Sequence, residues 1–373
     1  MKRITDAPES RARLLSFDGG GIRGLLALQY AKRIETLLRA KTGNPDLVLA
    51  DHFHYIGGTS TGAIIAAFLS WGLGVEEIEG LYRKNAIAMF RKSGFKHRFT
   101  SHKFVAEGLT NFLKEFFVED DGTAATLGTD KLKTLLLVVT RNASTGSPWP
   151  LSNNPFAKYN DVASPGNNLQ IPLWQLVRAS TAAPTFFPPE IMMVKGDKGE
   201  EQTFAFEDGG ITPFNNPAYL MKIMATLPEY KLGWESGTDR MSVVSIGTGG
   251  VKGGRAKHVL DVLAQAKNLP TALIGSFQQY QDLLCRVHGE CRYGLPIDGE
   301  VGALIGGTPG TSGKADYLYA RYDKLFSDQE VLDSEEVTKA GFTLDNLELM
   351  DFLCEKGAEH AEEIVKLEHF END

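Results

Sequence analysis

Gly58-Thr59-Ser60-Thr61-Gly62 is the stretch of sequence that decides the fold. It follows the apolar run 53–56 and precedes a second one, 63–69. A strand, a very sharp turn and then a helix form a nucleophile elbow, which exposes the serine oxygen at the carboxyl end of the strand. The positive N-terminus of the helix points toward that oxygen. Ser60 is therefore a candidate nucleophile, and Gly58 and Gly62 are the residues that permit the turn. An ordinary strand–helix turn without chemistry is the alternative.

A glycine-rich loop lies upstream, between the apolar stretch 14–17 and the helical pattern that begins at Leu25. It consists of Asp18, Gly19, Gly20, Gly21, Ile22, Arg23 and Gly24. A dinucleotide site would need an acidic residue at the end of the next strand, and a P-loop would need a following Gly-Lys-Ser/Thr; neither is present. We expect an oxyanion hole instead, formed by the backbone of Gly19, Gly20 and Gly21, in which one donor contributes about 3–4 kcal/mol. Arg23 is expected to brace this loop.

A third motif follows the short apolar stretch 203–206 and reads Glu207, Asp208, Gly209 and Gly210. A carboxylate at a strand end lies at the edge of the sheet where sites are usually built. A serine nucleophile needs a base within about 2.6–3.2 Å. Asp208 is the best-placed candidate, with a simple Asp-Gly turn as the alternative.

The three motifs, in this order, resemble the patatin-like phospholipase family. The resemblance extends to 49–53, 179–189 and 245–249, about the first two-thirds of the chain. It implies a Ser-Asp dyad that hydrolyses fatty-acyl esters of lipids, with Ser60 as nucleophile and Asp208 as base, and it implies neither metal nor cofactor. Gly210 is a small departure, since many members carry alanine there.

A Ser-Asp-His triad is the competing arrangement, because His258 and His288 follow Asp208 in the chain. Neither histidine stands in a recognisable strand-end turn, so we expect the dyad. The pattern Cys285-x-x-His288-x-x-Cys291 has no evident fourth ligand, and no metal site is expected there.

Composition limits the classes of function. The chain has 373 residues, a net charge of −8 and three cysteines without a disulfide framework. No secretory signal is evident, and the apolar run 63–73 is too short to span a bilayer. We expect a cytoplasmic protein that associates peripherally with the inner face of the membrane when active. The acidic tail 327–373 argues against a nucleic-acid polymer as partner; a homo-oligomer is compatible with the sequence.

Two segments have alternative interpretations. The stretch 90–99 interleaves phenylalanines with basic residues. In one interpretation its basic residues bind anionic headgroups, each contributing about 1 kcal/mol of binding free energy. In the other it is a helix–helix turn whose phenylalanines pack in the protein core. The stretch 141–172 has little periodicity and is expected to frame the mouth of the lipid site, with an inert excursion as the alternative.

Alternating strand and helix patterns predict an α/β fold: a three-layer patatin-like sandwich with a central, mostly parallel sheet and a helical C-terminal extension. The predicted strands are 13–17, 53–56, 132–140, 203–206 and 241–246. The predicted helices are 25–41, 61–73, 75–90, 103–117, 256–269 and 270–284, followed by a long amphipathic helix over 347–367. We expect residues 11–250 to form the lipid acyl hydrolase domain and 251–373 a mainly helical extension packed on it, either structural or regulatory.

The extension is similar, with low specificity, to those of bacterial stand-alone patatins. Some of these are effectors of antiphage defence, activated by cyclic nucleotides to degrade the membrane. This resemblance implies a cyclic dinucleotide as activator. Its phosphate contacts would come from Lys252, Arg255, Lys257, Arg286 and Arg292. The sequence thus favours a phospholipase A-like enzyme acting on membrane glycerophospholipids. A small-ester or acyl-protein hydrolase and a catalytically silent binding or storage protein remain alternatives.

Overall fold

A central β-sheet organises the molecule. The computed structural model describes residues 8, 10–89, 106–196, 198–252, 262–306, 313–335, 337 and 341–371, and for 262–271 and 328 the backbone alone. Its strands are β1 (Ala12–Phe17), β2 (Tyr55–Thr59), β3 (Leu135–Asn142), β4 (Ser147–Ser152), β5 (Glu190–Lys195), β6 (Glu201–Asp208), β7 (Met241–Ile246), β8 (Gly250–Val251), β9 (Glu290–Tyr293), β10 (Leu318–Tyr322) and β11 (Leu325–Phe326). The strand order is β5-β6-β3-β2-β1-β7-β10-β9, with β4 beside β3, while β8 and β11 pair separately.

The helices agree with most of the predicted ones. They are α1 (Gly24–Thr42), α2 (Leu49–His52), α3 (Thr61–Trp71), α4 (Val75–Met89), α5 (Glu107–Phe116), α6 (Leu173–Ser180), α7 (Ala218–Thr226), α8 (Val262–His288), α9 (Asp328–Asp333) and α10 (Met350–Ile364). α1 ends where Gly43 takes a left-handed conformation, with φ 68°. One difference concerns α8, which is a single helix through Pro270 where two were predicted. The basic and aromatic stretch 90–99 lies outside the described residues.

The sheet is mostly parallel, as predicted. β3, β2, β1, β7, β10 and β9 pair in parallel, whereas β4 and β6 run antiparallel to β3, and β5 to β6. Successive strand residues face opposite layers: Leu15 and Phe17 join the core beneath α1 and α3, while Leu14 joins the core beneath α7. Helices therefore cover both faces, and the predicted three-layer α/β class is confirmed.

The stretch 141–172 contains regular structure where the sequence indicated a loop. After the end of β3, the chain turns back as β4 and forms an antiparallel hairpin with it. Pro148 and Pro150 are tolerated in β4 because this strand pairs only with β3, so its other edge needs no N–H donors. The stretch also does not line the cavity described below, so its expected place at the mouth of the site is wrong.

The region after residue 250 is largely helical, as predicted, but it also adds β9 and β10 to the main sheet. α10 packs along α1. Near the end of the described chain, Glu371 contacts Arg13, Lys41 and His52, at 2.9, 3.2 and 3.1 Å. The division into two domains at residue 250 stays a prediction. Among the described helices, none has the length and apolar character needed to cross a membrane.

Candidate active site

The turn between β2 and α3 has the sharp geometry that the sequence predicts. Ser60 has φ 56° and ψ −123°, a conformation that is strained for a residue with a side chain. A Cβ on Gly58 would lie 2.1 Å from the carbonyl oxygen of Gly62, and one on Gly62 would lie 2.3 Å from that of Phe17. Only glycine fits at these two corners. The elbow is thus held in its strained form by close backbone packing.

The edge of β3 brings Ser60 and Asp208 together. β2 pairs with the first part of β3, where Thr59 lies opposite Val139. β6 arrives antiparallel and places Asp208 opposite the next residue, Thr140. Because β4 occupies the other edge of β3 here, β2 and β6 meet end to end on the same edge. The serine and the carboxylate therefore converge although 148 positions separate them in sequence.

Ser60 and Asp208 are directly hydrogen-bonded. Ser60 Oγ donates to Asp208 Oδ2 at 2.5 Å, and the N–H of Gly210 donates to Asp208 Oδ1 at 2.7 Å. Burial raises the pKa of Asp208 to about 6, although the Ser60 hydrogen bond and the charge of Arg178 act in the opposite direction. The side chain is only 4% exposed. A carboxylate of this kind is ionised at neutral pH yet basic enough to accept a proton.

The glycine loop presents two backbone donors next to the serine. The N–H of Gly19 donates to the carbonyl oxygen of Asn215 at 3.2 Å. In the described part of the chain, no acceptor is recorded for the N–H groups of Gly20 and Gly21, and both residues line the same cavity as Ser60. Of the three predicted oxyanion donors, Gly20 and Gly21 are available and Gly19 is already engaged.

Arg23 contacts the loop in the way expected of a brace. Its Nη1 donates to the carbonyl oxygen of Gly249 at 2.8 Å, and its Nε lies 3.4 Å from that of Gly20. Gly24 sits tightly beneath, since a Cβ there would lie 2.5 Å from Thr61 Oγ1. Likewise, a Cβ on Gly209 would lie 2.3 Å from a carbonyl oxygen of β3. These motif residues act through packing and backbone contacts.

Ser180 and Arg321 also belong to the site, and the sequence reading did not identify them. Ser180 Oγ accepts the N–H of Ser60 at 2.9 Å and donates to the carbonyl oxygen of Val139 at 2.6 Å. Ser180 lies in the stretch 179–189, which is part of the family resemblance. This resemblance is the sequence signal that could have identified Ser180. Arg321 binds Asp18 from 303 residues away, and no local pattern marks it.

A cavity of about 560 Å³ opens over the serine and the carboxylate. Large apolar side chains line it near Ser60 and Asp208. The large apolar side chains contributed by the regions before residue 220 are Ile64, Met89, Leu109, Phe186, Phe187 and Ile211.

Of the remaining candidates that the structure describes, His288 and Arg286 are both engaged with other residues. His288 packs its ring against Tyr219, with centroids 5.4 Å apart, and is not among the lining residues; His258 lies outside the described residues. Arg286 lines the cavity, but its guanidinium binds Asp282 at 2.6 and 2.9 Å and two carbonyl oxygens at 2.7 Å. These contacts use four of its five N–H donors, so at most one is left for a ligand phosphate. Arg255 and Lys257 lie outside the described residues.

The cysteines are not presented as metal ligands. Burial raises the pKa of Cys291 to about 11 and that of Cys285 further, so both thiols stay protonated at neutral pH. Within the described residues, no group of three or more His, Cys, Asp or Glu side chains is arranged to hold a metal ion.

The chain is similar in sequence to known proteins. The family model described as patatin-like phospholipase matches residues 15–221, more than half of the chain. Patatin-T5 of Solanum tuberosum is 27% identical over 250 residues, covering 63% of this chain and 60% of that protein. Patatin-17 of Solanum cardiophyllum is 28% identical with the same coverage. The match thus spans less than two-thirds of these relatives' length.

A solved structure, VipD from Legionella pneumophila, aligns with 94% of this chain and 67% of that one at 15% identity, with a TM-score of 0.35. The family model, the strained elbow and the two further motifs meeting at one cavity lead to the same conclusion: this chain belongs to the patatin-like phospholipase family.

Proposed function

We propose that this protein is a serine lipid acyl hydrolase, phospholipase A-like, that cleaves fatty-acyl esters of membrane glycerophospholipids. The observation that carries the proposal is the 2.5 Å hydrogen bond from Ser60 Oγ, on a strained elbow, to the buried carboxylate of Asp208. Family membership supports the lipid ester as substrate class, and the apolar side of the cavity supports a long acyl chain.

The proposed reaction proceeds through an acyl-enzyme. Ser60 Oγ attacks the ester carbonyl carbon while Asp208 Oδ2 takes the hydroxyl proton. The N–H groups of Gly20 and Gly21 stabilise the tetrahedral oxyanion, each contributing about 3–4 kcal/mol. Collapse breaks the ester bond, and Asp208 returns the proton to the leaving lysolipid alkoxide. Asp208 then takes a proton from water, which attacks the acyl-serine carbonyl carbon. As the bond to Ser60 Oγ breaks and the fatty acid leaves, Asp208 returns this proton to Ser60 Oγ.

No histidine is required in this scheme, because the carboxylate contacts the serine directly. The raised pKa of Asp208, about 6, is well suited to exchanging a proton with a hydroxyl group near neutral pH. Ser180 contributes by holding the backbone N–H of Ser60. Activity at the bilayer requires peripheral association with the membrane, which is part of the same proposal.

The test is fatty-acid release from phosphatidylethanolamine/phosphatidylglycerol vesicles by the wild type and by Ser60→Ala. Release by the wild type alone supports the proposal. If neither protein releases fatty acid from vesicles but the wild type hydrolyses a monomeric ester, a small-ester hydrolase is the better description. If Ser60 also fails to react with a fluorophosphonate, the protein is a silent binding protein.

Cyclic-dinucleotide activation is tested in a separate arm of the same assay. Repeating the vesicle measurement with a panel of cyclic dinucleotides distinguishes a constitutive hydrolase from a switched one. Since four of the five N–H donors of Arg286 are used internally, an activator would have to find most of its phosphate contacts elsewhere. Activity that appears only with one nucleotide would establish the switch.

A further inference from the structure

We propose that Arg321, which belongs to the C-terminal region, is a positioning residue for the oxyanion loop and acts on it through Asp18. The inference rests on the proposed function, in which the loop stabilises the oxyanion. It makes the region after residue 250 part of the catalytic machinery, although the family model ends at residue 221.

The first observation is a buried bidentate ion pair at the start of the loop. Arg321 Nη1 and Nη2 donate to Asp18 Oδ1 and Oδ2 at 2.8 and 2.6 Å. Gln278 Nε2 of α8 adds a third donor to Asp18 Oδ2 at 2.8 Å. The Asp18 side chain is fully buried, so its charge needs these partners, and paired donors of this geometry fix its orientation closely.

The second observation is a chain of contacts from Arg321 to the other side of the loop. Arg321 Nη2 also binds Asp323 Oδ2 at 2.9 Å, and Asp323 Oδ1 accepts the N–H of Gly249 at 2.9 Å. The carbonyl oxygen of Gly249 accepts from Arg23, whose backbone N–H donates to Gly20 at 3.2 Å. Arg321 therefore connects to both Asp18 and Gly20, the residues on either side of Gly19.

The third observation is a separate contact at the far end of the loop. The carbonyl oxygen of Leu344 accepts the N–H of Ile22 at 2.8 Å. A Cβ on Gly21 would lie 2.1 Å from the same oxygen, so Leu344 and Gly21 are in close contact. The two available donors, Gly20 and Gly21, thus lie between anchors that the C-terminal region supplies.

Oxyanion donors act only when they lie about 2.7–3.1 Å from the developing charge. A displacement near 1 Å can reduce a rate by about 100-fold. Loosening Asp18 from Arg321 is therefore expected to misplace the donors while leaving the apolar lining of the cavity intact. Such a change lowers kcat and leaves KM nearly unchanged, because the lost interaction exists only in the transition state.

The experiment measures kcat and KM on a soluble p-nitrophenyl ester for the wild type and three variants. Arg321→Lys keeps the charge but loses the bidentate fork, Asp18→Asn keeps the shape but loses the charge, and Gln278→Ala removes one donor from a half-buried helix position. We expect kcat to fall about 10–100-fold for the first two and about 3-fold for Gln278→Ala, with KM within about 3-fold.

Lys222→Met is the matched control. It removes another ion pair between the two halves of the chain, with Asp316 at 2.7 Å, that does not contact the glycine loop, and its kcat should stay within about 2-fold of the wild type. Thermal unfolding identifies the variants that remain folded. If the two charged-pair variants do not fold, Gln278→Ala decides: an unchanged kcat overturns the proposal.

The inference is also overturned if folded Arg321→Lys or Asp18→Asn keeps the wild-type kcat, or loses activity through KM alone. If the wild type hydrolyses no ester at all, by contrast, that result contradicts the proposed function, and it does not bear on the positioning role of Arg321. In that case the rate of fluorophosphonate reaction at Ser60 still tests the loop. This rate should fall in Asp18→Asn to the same extent as the expected kcat and stay unchanged in Lys222→Met.

Discussion

Replacing Asp208 with asparagine removes a carboxylate that the fold holds in an unfavourable environment. Burial raises its pKa from the usual 3.8 to about 6, and the side chain is 4% exposed. A shift of about 2 pK units corresponds to about 3 kcal/mol of free energy. Because the raised pKa disfavours the ionised form, the folded state holds the Asp208 proton more tightly than the unfolded state does. The resulting stabilisation of the folded protein is present below about pH 4 and is lost as the pH rises through 6. Asparagine does not titrate, so the Asp208→Asn variant keeps its stability over that range.

The measurement is the free energy of unfolding in urea for both proteins at pH 4 and pH 8. We expect the variant-minus-wild-type difference to increase by about 2–3 kcal/mol between the two pH values, in favour of the variant. Other titrating groups, Asp18 among them, are common to both proteins and cancel. The same ionisation predicts that kcat/KM of the wild type falls about tenfold per pH unit below about pH 6.

An unchanged difference at pH 4 and pH 8 would refute the reasoning, because it would mean that the folded and unfolded proteins share one pKa at Asp208. An acid limb of kcat/KM centred near pH 4 would lead to the same conclusion. A serine base with an ordinary carboxylate pKa would then have to draw its reactivity from elsewhere in the site.

Three further substitutions have expected outcomes. Ser180→Ala leaves the N–H of Ser60 without its acceptor, and we expect a loss of about 1–3 kcal/mol in stability and of about 10-fold in kcat, measured by urea unfolding and ester turnover; a wild-type kcat would contradict the role assigned to this hydroxyl. Glu371→Gln removes a carboxylate whose pKa is raised by burial but lowered, to about 2 overall, by its contacts with His52, Arg13 and Lys41. The wild type should be about 1–2 kcal/mol more stable than this variant above pH 5, a difference that vanishes as the pH falls through 4.5 toward 2. His288→Ala should keep vesicle hydrolysis within a few-fold of the wild type, because its ring packs on Tyr219 outside the cavity, whereas a loss as deep as that of Ser60→Ala would support a triad.

Local sequence was sufficient to predict the elbow and the carboxylate. The turn at Ser60 depends on Gly58 and Gly62, which stand within two positions of it, and the same short range holds for Asp208 at the end of its strand. The pairing of β2 and β6 with the same edge of β3, which brings the two together, could be inferred only through the family resemblance. The glycine loop was located correctly, but its hydrogen bonds show that Gly19 is occupied by Asn215.

Long-range features could not be predicted in the same way. Arg321 and Asp18 pair across 303 positions, and β10, which carries Arg321, is too short and too mixed in composition to be recognised in a region read as helical. β4 was missed because Pro148 and Pro150 usually argue against a strand, and only its edge position makes them acceptable. These features depend on which strands and helices become neighbours in the fold. The hydrophobic periodicity of a single segment does not indicate its neighbours.

The central claim is that Ser60 is the nucleophile and Asp208 is its base. The most direct measurement is peptide mapping by mass spectrometry after reaction with a fluorophosphonate, for the wild type, Ser60→Ala and Asp208→Asn. The account predicts one modification on the peptide that contains Ser60, none there in Ser60→Ala, and a reaction at least about 100-fold slower in Asp208→Asn. Modification at another residue, or a rate that Asp208→Asn leaves unchanged, would contradict it.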